Sequence, residues 1–150
     1  MAHHVDSPEI RRSDDFAAAL TLARDALLEG PAYPEAPLAM WGAFDGDRMI
    51  GTVSLNDLGG LPLVERIAVT HSCRGRGLGR RLLSVLEDEA SRNGHSVLYA
   101  TARAPGFFVA NGYAVLAGGA ERDLLLADCA GCEQHAVSCL PQAVFKRLRV

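Results

Sequence analysis

Residues Cys73 to Leu83, "CRGRGLGRRLL", place three glycines and four arginines in eleven positions. An apolar stretch, "LPLVERIAVT" (61–70), precedes them and a segment of helical periodicity follows. A strand that passes through glycines into a helix presents unpaired backbone N–H groups at the positive end of the helix dipole. Such an arrangement binds phosphate. Glycine suits it, since it adopts positive φ without steric cost and lets the backbone approach a ligand. The plainer alternative is a solvated Gly/Arg turn.

The spacing separates the known phosphate loops. A dinucleotide-binding loop begun at Gly75 or Gly77 needs a third glycine where Arg80 or Leu82 stands, and "LYATA" about 20 residues on lacks the ribose-binding carboxylate. A Gly-Lys-Ser/Thr loop is absent. What remains is Arg74-Gly75-Arg76-Gly77-Leu78-Gly79, of the form R-x-x-G-x-G.

Working outward, Leu78, Leu82, Leu83, Leu86 and Ala90 form one apolar stripe, closed by Asn93-Gly94 as a helix end. "SVLYAT" shows no alternation, which predicts a central or parallel strand. "PGFFVAN" predicts a short helix, "GYAVL" a short strand and "QAVFKRL" a final strand. Upstream, Ser13 is the expected N-cap of a helix carrying Phe16, Ala19, Leu20, Ala23, Ala26 and Leu27. "GPAYPEAP" reads as a loop, and "LAMWGAF" and "RMIGTVSL" form a hairpin about Asp45-Gly46-Asp47. The order helix, hairpin, strand, helix, strand, short helix, strands predicts an α/β (α+β) layer fold around one mixed sheet. At 150 residues, one domain spanning 1–150 is expected.

Hydrophobic residues at 49% and charged residues at 22% exclude a disordered chain. The net charge of -3 argues against a general nucleic-acid surface, which makes the arginines of the loop a local feature suited to a small anionic ligand. No stretch approaches the roughly 20 apolar residues of a membrane span, and the N-terminus lacks a signal-peptide core. The expected setting is the cytoplasm, with the four cysteines mostly reduced.

The loop "RGRGLGRRLL", set between "VERIAV" and "VLYATA" and followed by "APGFFVANGY", resembles the GNAT superfamily of acyl-CoA-dependent N-acetyltransferases. That family carries Q/R-x-x-G-x-G/A and A-x-x-F-Y-x-x-x-G-F. The resemblance covers about Leu61 to Leu116. It implies a mostly antiparallel central sheet flanked by helices, with acetyl-CoA as co-substrate. It implies that the backbone of Ile67, Ala68 and Val69 pairs with the pantetheine arm. The amides of Arg74, Gly75, Arg76, Gly77, Leu78, Gly79 and Arg80 would hold the pyrophosphate, with guanidiniums of Arg74, Arg76, Arg80 or Arg81. Thr101 stands where many relatives carry a cofactor-contacting asparagine, and Phe107 and Phe108 would flank the pantetheine and its sulfur. "TARAPGFFVANGY" is also similar to N-acetylglutamate-synthase-like enzymes, which suggests an amino-acid acceptor.

Acetyl transfer requires an amine that has lost its proton, so a carboxylate or water chain is expected beside it. Glu65 is the candidate base, placed by strand alternation on the face of Ile67 and Val69. His71 is a second candidate. Phe108 departs from the family pattern where many relatives keep a tyrosine acid. Either another group protonates the thiolate or it leaves unassisted; Tyr99 and Tyr113 are the nearby phenols, expected to be core residues. "CAGCEQHAVSC" holds Cys129, Cys132, His135 and Cys139, open to three readings: packed thiols, a zinc site or a redox pair. No metal is assigned. The expected activity is acetyl transfer to a primary amine of a small metabolite or amino acid by direct attack in a ternary complex. The alternatives are an acyl-CoA-binding sensor and a protein N-acetyltransferase. The acceptor and the number of subunits stay open, a homodimer included; neither nucleic acid nor membrane is an expected partner.

Overall fold

A computed structural model describes residues 8–25, 37–102, 105–127 and 142–149. Seven strands form one sheet in the order β1-β2-β3-β4-β5-β7-β6. The strands are β1 (Glu9–Arg12), β2 (Ala39–Asp45), β3 (Arg48–Leu58), β4 (Leu61–Val69), β5 (Val97–Ala102), β6 (Ala114–Val115) and β7 (Gln142–Arg147). Only β4 and β5 pair in parallel; every other neighbouring pair is antiparallel. The helices are α1 (Phe16–Asp25), α2 (Leu78–Arg92), α3 (Pro105–Ala110) and α4 (Ala120–Leu126).

The turns follow their residues. Gly46-Asp47 closes β2 onto β3, with Asp45 paired to Arg48 and Gly46 at φ 61°. Gly59 and Gly60, both at positive φ, join β3 to β4 with Leu58 opposite Leu61. Two consecutive positive φ values make the tight hairpin whose twist suits the flanking strands. β5 lies between β4 and β7, the central position its unbroken apolar sequence predicted.

Two layers of helix cover the sheet. α2 lays Leu78, Leu82, Leu83, Leu86 and Ala90 on a face built from Trp41, Ile50, Val53, Leu55, Val64, Leu98, Ala100 and Val144. Burial of each leucine is worth about 1.5–3 kcal/mol, so the α2 interface is the main apolar contact of the fold. The other face is shared. α1 covers Met40, Phe44 and Met49 with Ala19 and Leu22, while Leu125 of α4 covers Leu63 and Ala143.

Three expectations change. β1 and α4 were not foreseen, the first because four residues, "EIRR", carry little pattern. α1 begins at Phe16 with Asp15 as its cap, since Asp15 Oδ1 accepts from Ala18 N at 3.1 Å. Ser13 Oγ instead accepts from Asp15 N within the preceding turn. Ala26, Leu27, most of "GPAYPEAP" and the whole "CAGCEQHAVSC" segment lie outside the described residues. Among the described residues no helix is long and apolar enough to cross a membrane, and no cluster of potential metal ligands occurs.

Candidate active site

The sheet splits at its centre. β4 and β5 pair only at Leu63–Tyr99 and Val64–Ala100. Beyond that point β4 stays with β3 as far as Val69, and β5 stays with β7 as far as Ala102. The edge of β4 from Glu65 to Val69 that faces β5 therefore has no strand partner among the described residues. Ile67, Ala68 and Val69 lie on this edge, and Thr101 lies on the opposite wall.

A bulge sets which side chains border the opening. While β3 advances two residues, from Thr52 to Ser54, β4 advances three, from Ala68 to Glu65. The extra residue falls at Arg66–Ile67, where Arg66 adopts φ 49°, a conformation unusual for a residue with a Cβ. The bulge breaks the alternation. Ile67 and Val69 pack into the α2 face with Val64, whereas Glu65 stands opposite Ser54 on the α1 face. The expectation that Glu65 shares a face with Ile67 and Val69 is thus corrected: the inserted residue reverses the parity between them.

Glu65 is held firmly. Its Oε2 accepts from Asn56 Nδ2 at 3.3 Å and pairs with Arg66 Nη1 at 3.4 Å. Both side chains of that pair are only 12% exposed. The Arg66 guanidinium also lies 5.2 Å from the Phe16 ring centroid, which ties α1 to the bulge. Asn56, Arg66 and Phe16 were not singled out from the sequence. No periodicity marks them, since the bulge and the α1 crossing bring them together. His71 sits exposed on a 3-10 turn, His71–Cys73.

At the far end of the opening the chain enters α2. Gly77 caps that helix at φ 74° with no side-chain cap, and Gly75 is at φ 79°. The N–H of Arg81 returns to Gly77 O, so those of Leu78, Gly79 and Arg80 precede the first helical hydrogen bond. A Cβ at Gly75 or Gly77 would meet nothing within 4 Å. Space thus lies open before a row of uncapped donors. A diphosphate attached to an extended arm fits this donor set, with the arm along the β4 edge.

The four arginines divide. Arg74 Nε donates to Val69 O at 3.2 Å, and Arg81 Nη2 donates to Pro8 O at 3.3 Å. Neither Arg76 nor Arg80 has a hydrogen bond or ion pair among the described residues, and Arg80 borders a recess of about 210 Å³ with Ser84, Asn111 and Lys146. The two phenylalanines divide as well. A Cβ on Gly79 would lie 3.4 Å from the Phe107 ring and 3.9 Å from Val69 Cγ2, so α3, α2 and β4 meet there. Phe108 is buried, edge-on to Phe107 and to Tyr113 at centroid distances of 5.4 and 5.2 Å. Thr101 Oγ1 donates to Leu125 O at 3.0 Å, so its hydroxyl proton is committed to α4.

Of the two phenols expected in the core, Tyr113 is buried there and Tyr99 is only partly buried. Tyr99 packs beside Leu63 and Leu125. Tyr113 is buried and donates to Glu87 Oε2 at 2.8 Å. Burial, and then the charge and hydrogen bond of Glu87, push its phenol far above the usual range. Its proton is directed to Glu87.

A profile described as the acetyltransferase (GNAT) family matches residues 8–113. Among solved structures, the N-acetylglutamate synthase of Neisseria gonorrhoeae, complexed with coenzyme A and N-acetyl-glutamate, is 18% identical with a TM-score of 0.71. The alignment covers 96% of this chain but 36% of that longer one. The PaiA N-acetyltransferase of Thermoplasma acidophilum, in complex with coenzyme A, is 15% identical at TM-score 0.66, covering 94% of this chain and 99% of that one. A GNAT-family acetyltransferase from Staphylococcus aureus is 12% identical at TM-score 0.72, covering 95% and 100%. No curated protein sequence matches the chain.

Proposed function

The chain belongs to the acetyltransferase (GNAT) family, and from that membership we propose that it moves the acetyl group of acetyl-CoA to a primary amine of a small metabolite or amino acid in a ternary complex. The observation that carries this reading is the unpaired β4 edge running into the uncapped N-terminus of α2. When bound, acetyl-CoA supplies an acetyl group activated as a thioester.

The chain's own groups then have distinct tasks. The backbone of Ile67, Ala68 and Val69 offers strand-like hydrogen bonds to an extended arm. Amides from Gly75 and Arg76 through Gly77, Leu78, Gly79 and Arg80 receive a diphosphate, with the guanidiniums of Arg76 and Arg80 unpaired beside them; the Arg74 amide, expected to join them, instead donates to His71 O at 3.3 Å as the cap of the 3-10 turn. Phe107 walls the channel beside Gly79, and Phe108 backs it from the core. Thr101 belongs to the facing wall. Glu65, the first residue past the last β4–β5 pair, accepts the proton that an ammonium must shed to expose its lone pair. With Phe108 where many relatives keep a tyrosine, no acid is assigned, and the thiol's own acidity, with pKa about 8.5, governs its departure.

An amino-acid acceptor is favoured over a protein one by the likeness to the Neisseria enzyme, whose structure holds N-acetyl-glutamate. Calorimetry with acetyl-CoA, followed by thiol release against a panel of amino acids and small amines, tests the reading. Sub-millimolar binding with turnover on the panel is expected. Binding without turnover on any amine would point to an acyl-CoA sensor, and absence of binding would remove the reading.

A further inference from the structure

Outside the opening, one set of ionisable groups is enclosed and unused by the chemistry above. Glu87 lies on α2 two turns beyond Arg80, on the stripe Arg80, Ser84, Glu87 that faces α3 and β7. Its side chain is 15% exposed. Tyr113, at the start of the segment after α3, donates to Glu87 Oε2 at 2.8 Å. Lys146 of β7 donates to both carboxylate oxygens at 3.1 Å and also to Asn111 O at 3.0 Å. Asn111 Nδ2 in turn donates to Phe107 O at 2.8 Å, closing the end of α3. One carboxylate on α2 thus fastens both the α3–β6 turn and β7.

We propose that Glu87 is a positioning residue that sets α3, and with it the Phe107 wall, against the mouth of the cofactor channel. α3 has six residues, too few to hold its place by helical hydrogen bonding alone. Phe107 packs against the cluster that holds Leu78 and Leu82 of α2, close enough that a Cβ on Gly79 would lie 3.4 Å from its ring, and Phe108 joins it to Tyr113. A path of direct contacts therefore runs from Glu87 through Tyr113 and Phe108 to Phe107, which lies beside the first turn of α2. The ion pair with Lys146 balances the carboxylate, so loss of Glu87 would strand a half-buried ammonium as well as a buried phenol. The role of the wall in holding acetyl-CoA rests on the function proposed above.

The test uses Glu87→Gln in the full chain, read by acetyl-CoA calorimetry and by backbone hydrogen exchange over residues 105–113. Met49→Ala, which opens a cavity under α1, serves as a control of comparable lost stability. Glu87→Gln should weaken acetyl-CoA at least 10-fold and speed exchange in 105–113. Met49→Ala should change neither beyond about 2-fold. Because Tyr113 acts through Glu87, the Glu87→Gln/Tyr113→Phe double variant should bind no more weakly than Glu87→Gln alone. Tyr113→Phe, which removes one oxygen atom, carries the test by itself if Glu87→Gln fails to fold, with an expected weakening of about 3-fold. Unchanged affinity and exchange, equal losses in Met49→Ala, or strictly additive losses in the double variant would each overturn the proposal. If the wild-type chain does not bind acetyl-CoA, the functional reading fails; faster exchange in Glu87→Gln would then still show that Glu87 anchors α3, and unchanged exchange would refute the anchor too.

Discussion

Gly77 and Gly46 have nearly the same φ, 74° and 61°, and neither would clash through a Cβ. Replacing either by alanine should cost roughly 1–2 kcal/mol, the left-handed penalty of an L-residue. Their surroundings differ. Gly46 turns a hairpin, whereas Gly77 opens α2 beside uncapped amides. Aspartate at Gly77 should therefore abolish acetyl-CoA binding in calorimetry, because its carboxylate opposes a phosphate, while Gly46→Asp should retain it. Equal loss in both would place the diphosphate elsewhere. At Glu65 the proposed task is proton removal. Glu65→Gln should lower kcat/KM for the amine by at least about 100-fold near neutral pH, with partial recovery at high pH as free amine increases. The glutamine carbonyl can still accept from Asn56 Nδ2 and from Arg66 Nη1, and urea unfolding of the variant measures what the lost charge costs the fold. A wild-type-to-variant ratio that stays flat from about pH 6 to 10 would make Glu65 structural.

At the scale of elements, the packing of α2 and the α3 latch can be separated by measurement. Leu82 is fully buried, and its Cδ1 would sit 3.0 Å from a Cβ on Gly51, so helix and sheet approach closely there. Leu82→Ala should cost about 2–5 kcal/mol in urea unfolding, since the close-packed surroundings cannot collapse fully into the void. The Tyr113 contact has a pH signature. In the folded chain its pKa is raised, first by burial and then by Glu87; in the unfolded chain the phenol ionises near pH 10. Its contribution is therefore complete below about pH 10 and declines as pH rises above that value, because only the unfolded state can then release the proton. Tyr113→Phe should flatten the decline in unfolding free energy above about pH 10, and an unchanged slope would mean the phenol is not enclosed as described. With its hydroxyl proton directed to Glu87, Tyr113 is not assigned as the acid, and the same variant should keep kcat within about 10-fold.

For the whole molecule, a ligand that bridges β4 and α2 should stabilise the native state by mass action. Acetyl-CoA at 100 times its dissociation constant is worth about 2.7 kcal/mol, which for a chain of 150 residues raises Tm by several degrees. Scanning calorimetry should show that rise in the wild type and none in Gly77→Asp. A rise of the same size in the variant would sever the stabilisation from the glycine turn at the start of α2.

Much of this was set locally and could be read along the chain. The α2 stripe, the Asn93-Gly94 stop, the central β5 and the glycine loop each depend on neighbours three or four residues apart or on a backbone angle that only glycine adopts cheaply. The α2 helix, its start at the glycine loop and the family resemblance were legible for that reason. What only the tertiary structure decided depends on partners far apart in sequence. The face on which Glu65 lies follows from a bulge that exists because β3 and β4 pair out of step around Arg66, and alternation within one strand cannot reveal an inserted residue. The split between β4 and β5 follows from the different reach of β3 and β7 as their outer partners. The division of labour among Arg74, Arg76, Arg80 and Arg81 follows from which carbonyls happen to come near, Val69 O for one and Pro8 O, 73 residues away, for another. Glu87, Tyr113 and Lys146 meet across 26 and 59 residues of chain. A local pattern carries backbone conformation and the side of a helix, but the meeting of charges is fixed only when the sheet has ordered its strands.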